Sequence, residues 1–528
     1  MLQGCVPWPE EDAARFTSAG YWRGETLGAL LRRWAADHGS RTAVVCGTRR
    51  FTYTELDSWA DRLAAGLRAQ GISAGDRIVV QLPNVAEFVA LCFALFRLGA
   101  LPVFALPAYR ANEIRHLCEL SGAIGYVVPR EHLDHDYVAL AGEISAELPA
   151  IKRIFVADSL PEADPVDLPD PDPRDVAFFL LSGGTTALPK LIPRTHDDYA
   201  YQTQLTAEIN DLGPTSVYLT VLPVEFNFPW GCPGIIGVFQ AGGTAVMALT
   251  PEPDHCFELI ERERVTITSV VPTITHLWLE AVPHSNRDMS SLEIIQIGSA
   301  KLHPEVAARV QPAFGCRLQQ VFGMAEGLLT FTRDDDPEHV VLTTQGRPIS
   351  PADEIRVVDE AGNEVPPGTA GELLTRGPYT LRGYYNAPEH NAKAFTADGF
   401  YRSGDLVRFT EQGNMVVEGR VKDVINRGGD KISATEVEAH LTAHPNVAQA
   451  AVIAIPDLVL GEKTCAVIIP DGTAPKLPAL RKLLRERGLA DYKLPDKVEI
   501  VGSFPLTGLG KVDKKSLVAT LTGGHSGR

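Results

Sequence analysis

Through roughly the first 350 residues, short apolar runs alternate with stretches of helical spacing. Apolar positions recur at that spacing over residues 27–37. Residues 42–45 (TAVV) and the following RRFTYTEL predict a strand, a hairpin and the start of a helix. Residues 77–81 (RIVVQ) predict a strand ending at LPN, followed by a helix over 85–98, the run LPVFALP and a helix near 111–121. Residues 126–128 make another short buried run. Strands alternating with helices in this way imply a parallel α/β sheet. The uncharged run 176–181 (VAFFLL) reads as a buried parallel strand. Thr195, with Asp198 three residues later, predicts a capping box opening a helix that runs to about Asn210. Residues 160–175 (LPEADPVDLPDPDPRD) are too rich in proline and acid for regular structure, so they form a surface loop or a linker. The runs VYLTVLP, GTAVMAL, ITSVVP and EIIQIGSA then resume the rhythm.

From about Glu354 the texture changes. Alternating residues around the turn at Ala361, Gly362 and Asn363 predict an antiparallel subdomain, continued by strands at 406–409 and 415–418. The last hundred or so residues predict a small mixed unit: a helix over 434–441, strands within 450–455 and 465–469, a helix over 478–487 and a run at 497–501. No internal repeat or coiled-coil pattern is present.

Composition narrows the class. At 528 residues, two or more domains are expected. A net charge of −17 argues against nucleic acid or an anionic membrane as a main partner. The eight cysteines are scattered without a C-x-x-C pair, which suits reduced core thiols. The most apolar stretch, 88–106, is broken by Arg97 and Gly99 and reads as a buried helix and strand, not a membrane span. The acidic N-terminus shows no signal peptide, so a soluble, cytoplasmic protein is expected.

The candidate chemistry begins where the run 176–181 ends. Ser182, Gly183, Gly184, Thr185, Thr186 and Lys190 give small residues, hydroxyls and an ammonium suited to a polyphosphate. This is not a P-loop frame, and alone it is as readily a mobile surface turn. The stretch SGGTTALPK nevertheless resembles the phosphate-binding signature of acyl-adenylate-forming enzymes, usually S/T-SGTTGxPK, with Ala187 in place of a glycine. The continuation LIPRTHDDY, ending at Tyr199, is similar to the branch that activates aryl acids for siderophores and related peptides.

That resemblance implies an α/β fold with a large N-terminal domain (1–421) of parallel α/β subdomains plus a β subdomain, and a small mobile α+β C-terminal domain (422–528). It extends over further motifs. In VFGMAEG, Val321, Phe322 and Gly323 precede Glu326, which matches the family's Mg²⁺ ligand; Mg²⁺ offsets the repulsion between a carboxylate and a phosphate. In YRSGD, Asp405 follows a tight Ser-Gly turn and matches the ribose-binding acid, with Arg420 adding a ribose or phosphate contact. Gly298, Ser299 and Ala300 resemble the adenine-contacting strand end. Lys511, between Gly510 and Val512, matches the catalytic lysine that bridges carboxylate and α-phosphate. Lys422 matches the hinge about which the small domain swings. One orientation brings in Lys511; the other brings the 427–431 loop in to build a tunnel for a pantetheine thiol.

The segment LPVEFNFPWGCPG resembles the family's acyl pocket. Amino-acid-activating relatives carry an Asp where this chain has Asn227; a neutral amide leaves an ammonium unpaired but can bond an ortho-hydroxyl on a ring. Phe226 and Glu225 depart from the usual His and Ala, and Glu225 offers an acceptor for an amino or nitrogen-heterocyclic acid. Phe228, Tyr199, Cys232 and Leu329 complete the expected pocket, the last two filling the space of a 3-hydroxyl. The expected reaction is ArCOO⁻ + ATP → ArCO-AMP + PPi. Salicylate or a relative leads, ahead of 2,3-dihydroxybenzoate, anthranilate-type and hydroxypicolinate-type acids. Transfer to the phosphopantetheine thiol of an aryl carrier protein follows. The competing readings are an acid–CoA ligase, a phosphotransferase releasing ADP, and a non-catalytic nucleotide binder.

Overall fold

The computed structural model describes residues 1–182, 189–299, 302, 304–359, 361–420, 424–505, 512 and 514–523. Among them, one six-stranded sheet has the order Leu191–Thr195, Val176–Leu181, Leu101–Phe104, Arg77–Val80, Gly125–Val128 and Arg153–Val156. The last five strands are parallel, as the alternation of runs and helices requires. Leu191–Thr195 instead runs antiparallel to Val176–Leu181, a strand the sequence pattern did not predict. Pro193 argues against a strand, but a proline is tolerated at a sheet edge, and this strand is the edge.

A second sheet of nine strands carries the later apolar runs, with Val217–Thr220, Thr244–Met247, Ile267–Val270, Ile294–Ile297 and Arg317–Gly323 parallel at its centre. The hairpin of Thr42–Cys46 and Arg49–Thr52 joins it beside Thr244–Met247. Helix Ala86–Leu98 is buried along almost its whole length. Its core cluster draws on both sheets, with Ile78 and Val80 from one and Val44, Tyr218 and Met247 from the other. The long apolar stretch is thus a helix between two sheets, and Arg97 inside it bonds Asp57 and, at 2.7 Å, Asp61. No described helix is long and apolar enough to cross a membrane, and all eight cysteines are free.

A third, antiparallel sheet comprises Glu354–Val358, Gly371–Arg376, Tyr401–Phe409 and Met415–Arg420. The expected Ser-Gly turn at YRSGD lies inside the strand Tyr401–Phe409. Gly404 takes a left-handed φ of +71°, so the backbone kinks there without leaving the sheet, and Asp405 still pairs with Arg420. The small C-terminal unit holds a five-stranded sheet and the helices Ala434–Leu441, Leu477–Glu486 and Lys514–Gly523. Its two apolar clusters draw only on residues from 425 onward. The third sheet ends at Arg420 and the small sheet begins at Val424; Lys422, the expected hinge, lies outside the described residues.

Candidate active site

A cavity of about 1330 Å³ opens where the sheets and the small unit meet. Ser182, Lys190, Ser299, Val321, Phe322, Gly323, Glu326 and Asp405 line it, as do Phe226, Asn227, Phe228, Cys232 and Leu329. Residues far apart in sequence therefore face one space, because the strands Val176–Leu181, Ile294–Ile297 and Arg317–Gly323 end there. Gly183, Gly184, Thr185, Thr186, Ala300 and Lys511 lie outside the described residues. Gly298 adjoins the cavity at the end of Ile294–Ile297, packed against Phe228. Ser299 follows with a φ of +66°, a strained backbone for a residue with a Cβ. Tyr199 is fully buried behind the cavity wall.

Glu326 sits in the turn between the antiparallel strands Arg317–Gly323 and Leu329–Phe331. Tyr384 donates a hydrogen bond of 2.8 Å to its Oε1. Tyr401, which opens the strand carrying Asp405, stands 2.8 Å from the Tyr384 hydroxyl and donates to it. Burial, reinforced by Glu326 and Tyr401, pushes the Tyr384 phenol well above its usual range, so it stays a donor. Lys190 Nζ lies 5.5 Å from the centre of the same ring, within cation–π reach. One tyrosine thus ties the candidate phosphate-binding lysine, the candidate metal carboxylate and the candidate ribose strand into one frame.

The candidate acyl slot is set by a buried polar chain. Arg194, fully buried, pairs with Asp198 at 2.9 Å and donates to Gln202 Oε1 at 2.9 Å. Gln202 Nε2 donates to Asn227 Oδ1 at 3.1 Å, and Tyr199 donates to the same oxygen at 2.9 Å. With its oxygen accepting two bonds, Asn227 is fixed with Nδ2 as the donating end; one Nδ2 hydrogen reaches Met324 O at 3.3 Å. Tyr199 and Gln202 therefore act through Asn227. Phe228, Cys232, Val321 and Leu329 pack together in one apolar cluster around it, and burial pushes the Cys232 thiol far above its usual range. Glu225 is also buried, and burial holds its carboxyl well above the ordinary range. It lines the same cavity as Asn227.

Sequence reasoning did not single out Arg194, Gln202, Tyr384 or Tyr401. Arg194 lies in the strand Leu191–Thr195, and Asp198 and Gln202 follow one turn apart on the next helix, so their i, i+4 polar spacing was the available signal. Tyr401 opens the YRSGD motif without having been assigned a role there, and Tyr384 lies in no motif.

Two family models match the chain. One, AMP-binding enzyme, covers residues 31–385, and the other, AMP-binding enzyme C-terminal domain, covers 436–511. The chain belongs to the AMP-binding enzyme family. Enzymes of this family use ATP. The chain is 54% identical over 525 residues to a 2,3-dihydroxybenzoate-AMP ligase of Bacillus subtilis, covering 98% of this chain and 97% of that one. It is 45% identical over 540 residues to a salicyl-AMP ligase / salicyl-S-ArCP synthetase of Mycobacterium tuberculosis, covering 98% and 95%. Among solved structures, the apo structure of MbtA from Mycobacterium smegmatis matches with a TM-score of 0.76 and 46% identity over 98% of both chains. As an AMP-binding enzyme of the aryl acid–AMP ligase branch, the chain has the α/β architecture of a large N-terminal and a small C-terminal domain expected from its motifs.

Proposed function

We propose that this enzyme joins an ortho-hydroxylated aryl acid, salicylate or a close relative, to AMP and then passes the aryl group to the phosphopantetheine thiol of a carrier protein. The observation that carries the reading is Asn227, fixed by Tyr199 and Gln202 so that its amide N–H is the donating end at the cavity. Such a donor suits the ortho oxygen of a hydroxybenzoate and offers nothing to an ammonium. Relatives at 45–54% identity that act on salicylate or 2,3-dihydroxybenzoate support the same substrate class.

In the first half-reaction a carboxylate oxygen bonds to the α-phosphorus as the bond to the pyrophosphate oxygen breaks. Residues 182–190 hold the phosphates, Asp405 takes the ribose hydroxyls, and Arg420 adds a contact. Lys511 supplies the ammonium for the charge that develops between carboxylate and α-phosphate. Glu326 is a hard oxygen donor suited to Mg²⁺, and no cluster of three ligating side chains exists among the described residues. That donor set fits Mg²⁺, which binds through one or two carboxylates and completes its shell with phosphate oxygens and water. Bound there, it would offset the repulsion between the two anions. The chain divides functionally at 421/422, with Lys422 the hinge.

Within the substrate class, Cys232 and Leu329 are both 1% exposed and fill the slot where a 3-hydroxyl would lie. That favours salicylate over 2,3-dihydroxybenzoate. The test is ATP–pyrophosphate exchange over a panel of ortho-substituted aryl acids, with AMP and ADP both assayed. Exchange with salicylate, and AMP as product, supports the reading; ADP as product, or no exchange with any ring acid, overturns it. Comparing holo-carrier with free coenzyme A identifies the acceptor.

A further inference from the structure

Small and large units have separate apolar cores: the clusters of the small unit contain no residue before 425. Among the described residues, Tyr492 is the one small-unit side chain that also packs against a cluster of the large unit. Polar contacts therefore carry much of what fixes their relative orientation. The most buried of them centres on Lys493. Its ammonium lies 2.9 Å from Glu113 Oε1, on the large unit, and 3.0 Å from Glu436 Oε1, on the small one. The three side chains are 5%, 0% and 4% exposed. Glu113 is held rigidly, since its Oε2 accepts the Arg110 N–H at 3.1 Å in the cap of helix Ala111–Ser121. Beside it, Asn112 Nδ2 donates to Arg487 O at 2.5 Å.

A continuous path runs from this cluster to the cleft. Three residues beyond Lys493, Asp496 takes a bidentate pair from Arg427, with both bonds at 2.8 Å. Arg427 belongs to the strand Val424–Arg427, and Asn426 Nδ2 in that strand donates to Ser299 O at 3.1 Å. The next residue, Gly428, comes so close to the large unit that a Cβ there would sit 2.3 Å from Thr273 Oγ1. Burial alone would lower the Lys493 pKa, but the two carboxylates outweigh it and hold it above its usual value, so the lysine is charged.

We propose that Lys493 is a positioning residue: by clasping Glu113 across the unit boundary, it holds the small unit in the orientation that seats residues 426–428 at the cleft. Resting on the reading above, that orientation is the one for thiol transfer. A buried ion pair contributes little net stability because desolvating the charges offsets their attraction, yet it selects one geometry over others. The clasp therefore acts on which half-reaction the enzyme is set for, not on whether it folds.

The test uses Glu113→Gln, which keeps an oxygen for the Arg110 N–H and leaves the Lys493–Glu436 pair within the small unit intact. Pyrophosphate exchange and thioester formation are measured on the same acid, with Lys493→Arg as the conservative control. The expected result is exchange within about 2-fold of the parent, transfer to the thiol reduced about 10-fold, and Lys493→Arg retaining most of the transfer. Hydrogen exchange of the full chain, without substrates, should show faster exchange in residues 111–121 and 487–493 but not in Leu477–Glu486. Unchanged transfer, an equal fall in both half-reactions, or unchanged hydrogen exchange would overturn the clasp. A parent protein that exchanges no pyrophosphate would instead defeat the functional reading, and the hydrogen-exchange comparison would still decide the clasp.

Discussion

The hydroxyl of Tyr384 donates to Glu326 Oε1 at 2.8 Å, and this bond links the two halves of the candidate nucleotide site. Tyr384 is nearly inaccessible, so its position is fixed by packing before any ligand arrives. In the proposed role of Glu326, a carboxylate meeting a metal and a triphosphate gains from being held in one rotamer, since ordering it on binding would cost affinity. The second bond, from Tyr401, couples that carboxylate to the strand that presents Asp405.

Replacing Tyr384 with Phe removes the donor and keeps the ring that Lys190 faces. A hydrogen bond to a charged group contributes about 1.5–3 kcal/mol, so pyrophosphate exchange should fall roughly 10- to 100-fold. The Mg²⁺ concentration for half-maximal rate should rise with it. A Tyr384→Phe enzyme with the parent's Mg²⁺ dependence would show that Glu326 is not oriented by this bond.

Asn227→Asp tests the slot. The new carboxylate can still accept from Tyr199 and Gln202, but it loses the Nδ2 donor and places a charge in a desolvated site beside Met324 O. Exchange with salicylate should drop about 100-fold in kcat/KM, the size expected when a buried polar match is broken. Acids bearing an ortho-amino group should lose less. Equal losses for both would mean that the ring substituent does not meet residue 227.

Much of this was legible in the sequence, for identifiable reasons. Helix His196–Ile209 begins at Thr195 with the predicted capping box because Thr195 and Asp198 satisfy each other's backbone donors locally. Helices Ala111–Ser121 and Ala434–Leu441 fall at the predicted residues because local periodicity decides them. What local pattern misses is what the third dimension supplies. Leu191–Thr195 is a strand because Val176–Leu181 offers it an edge, against the propensity of Pro193. Most of the expected cavity residues come from motifs, whereas two side chains that orient them (Gln202 on Asn227, Tyr384 on Glu326) are recognisable only once distant segments have met.

Cys232 and Leu329 should set the preference between one ring hydroxyl and two. Both are buried in the cluster that includes Phe228 and Val321, so any added ring substituent on that side must displace them. The pair Cys232→Ser and Leu329→Val opens space and adds a hydroxyl partner. Because pocket changes of this size alter discrimination by about 1–3 kcal/mol, the kcat/KM ratio of 2,3-dihydroxybenzoate to salicylate should rise at least about 10-fold. An unchanged ratio would place the 3-position of the ring elsewhere in the cavity.

His196 makes stability depend on pH. It is 1% exposed, its Nδ1 accepts the Leu27 N–H at 3.1 Å, and burial lowers its pKa from an ordinary 6.5 to about 3. Between those values the unfolded chain binds a proton that the folded chain refuses, so stability is retained above pH 6.5 and is lost as pH falls below it. From pH 7 to pH 5 the loss is about 2 kcal/mol, at ~1.4 kcal/mol per unit of pH below 6.5. Asp197 acts in the opposite sense, since burial raises its pKa from 3.8 to about 6 and its contribution falls as pH rises through that window. The two partly cancel in the whole protein, so the measurement is a difference between proteins that share Asp197. His196→Gln retains an acceptor for Leu27 and does not titrate. Urea denaturation of both proteins at pH 7 and pH 5 should therefore show the parent losing about 2 kcal/mol more than the variant. Parallel losses would mean that His196 is charged in the folded protein, and the buried contact between residue 196 and the helix Leu27–His38 would need another donor arrangement.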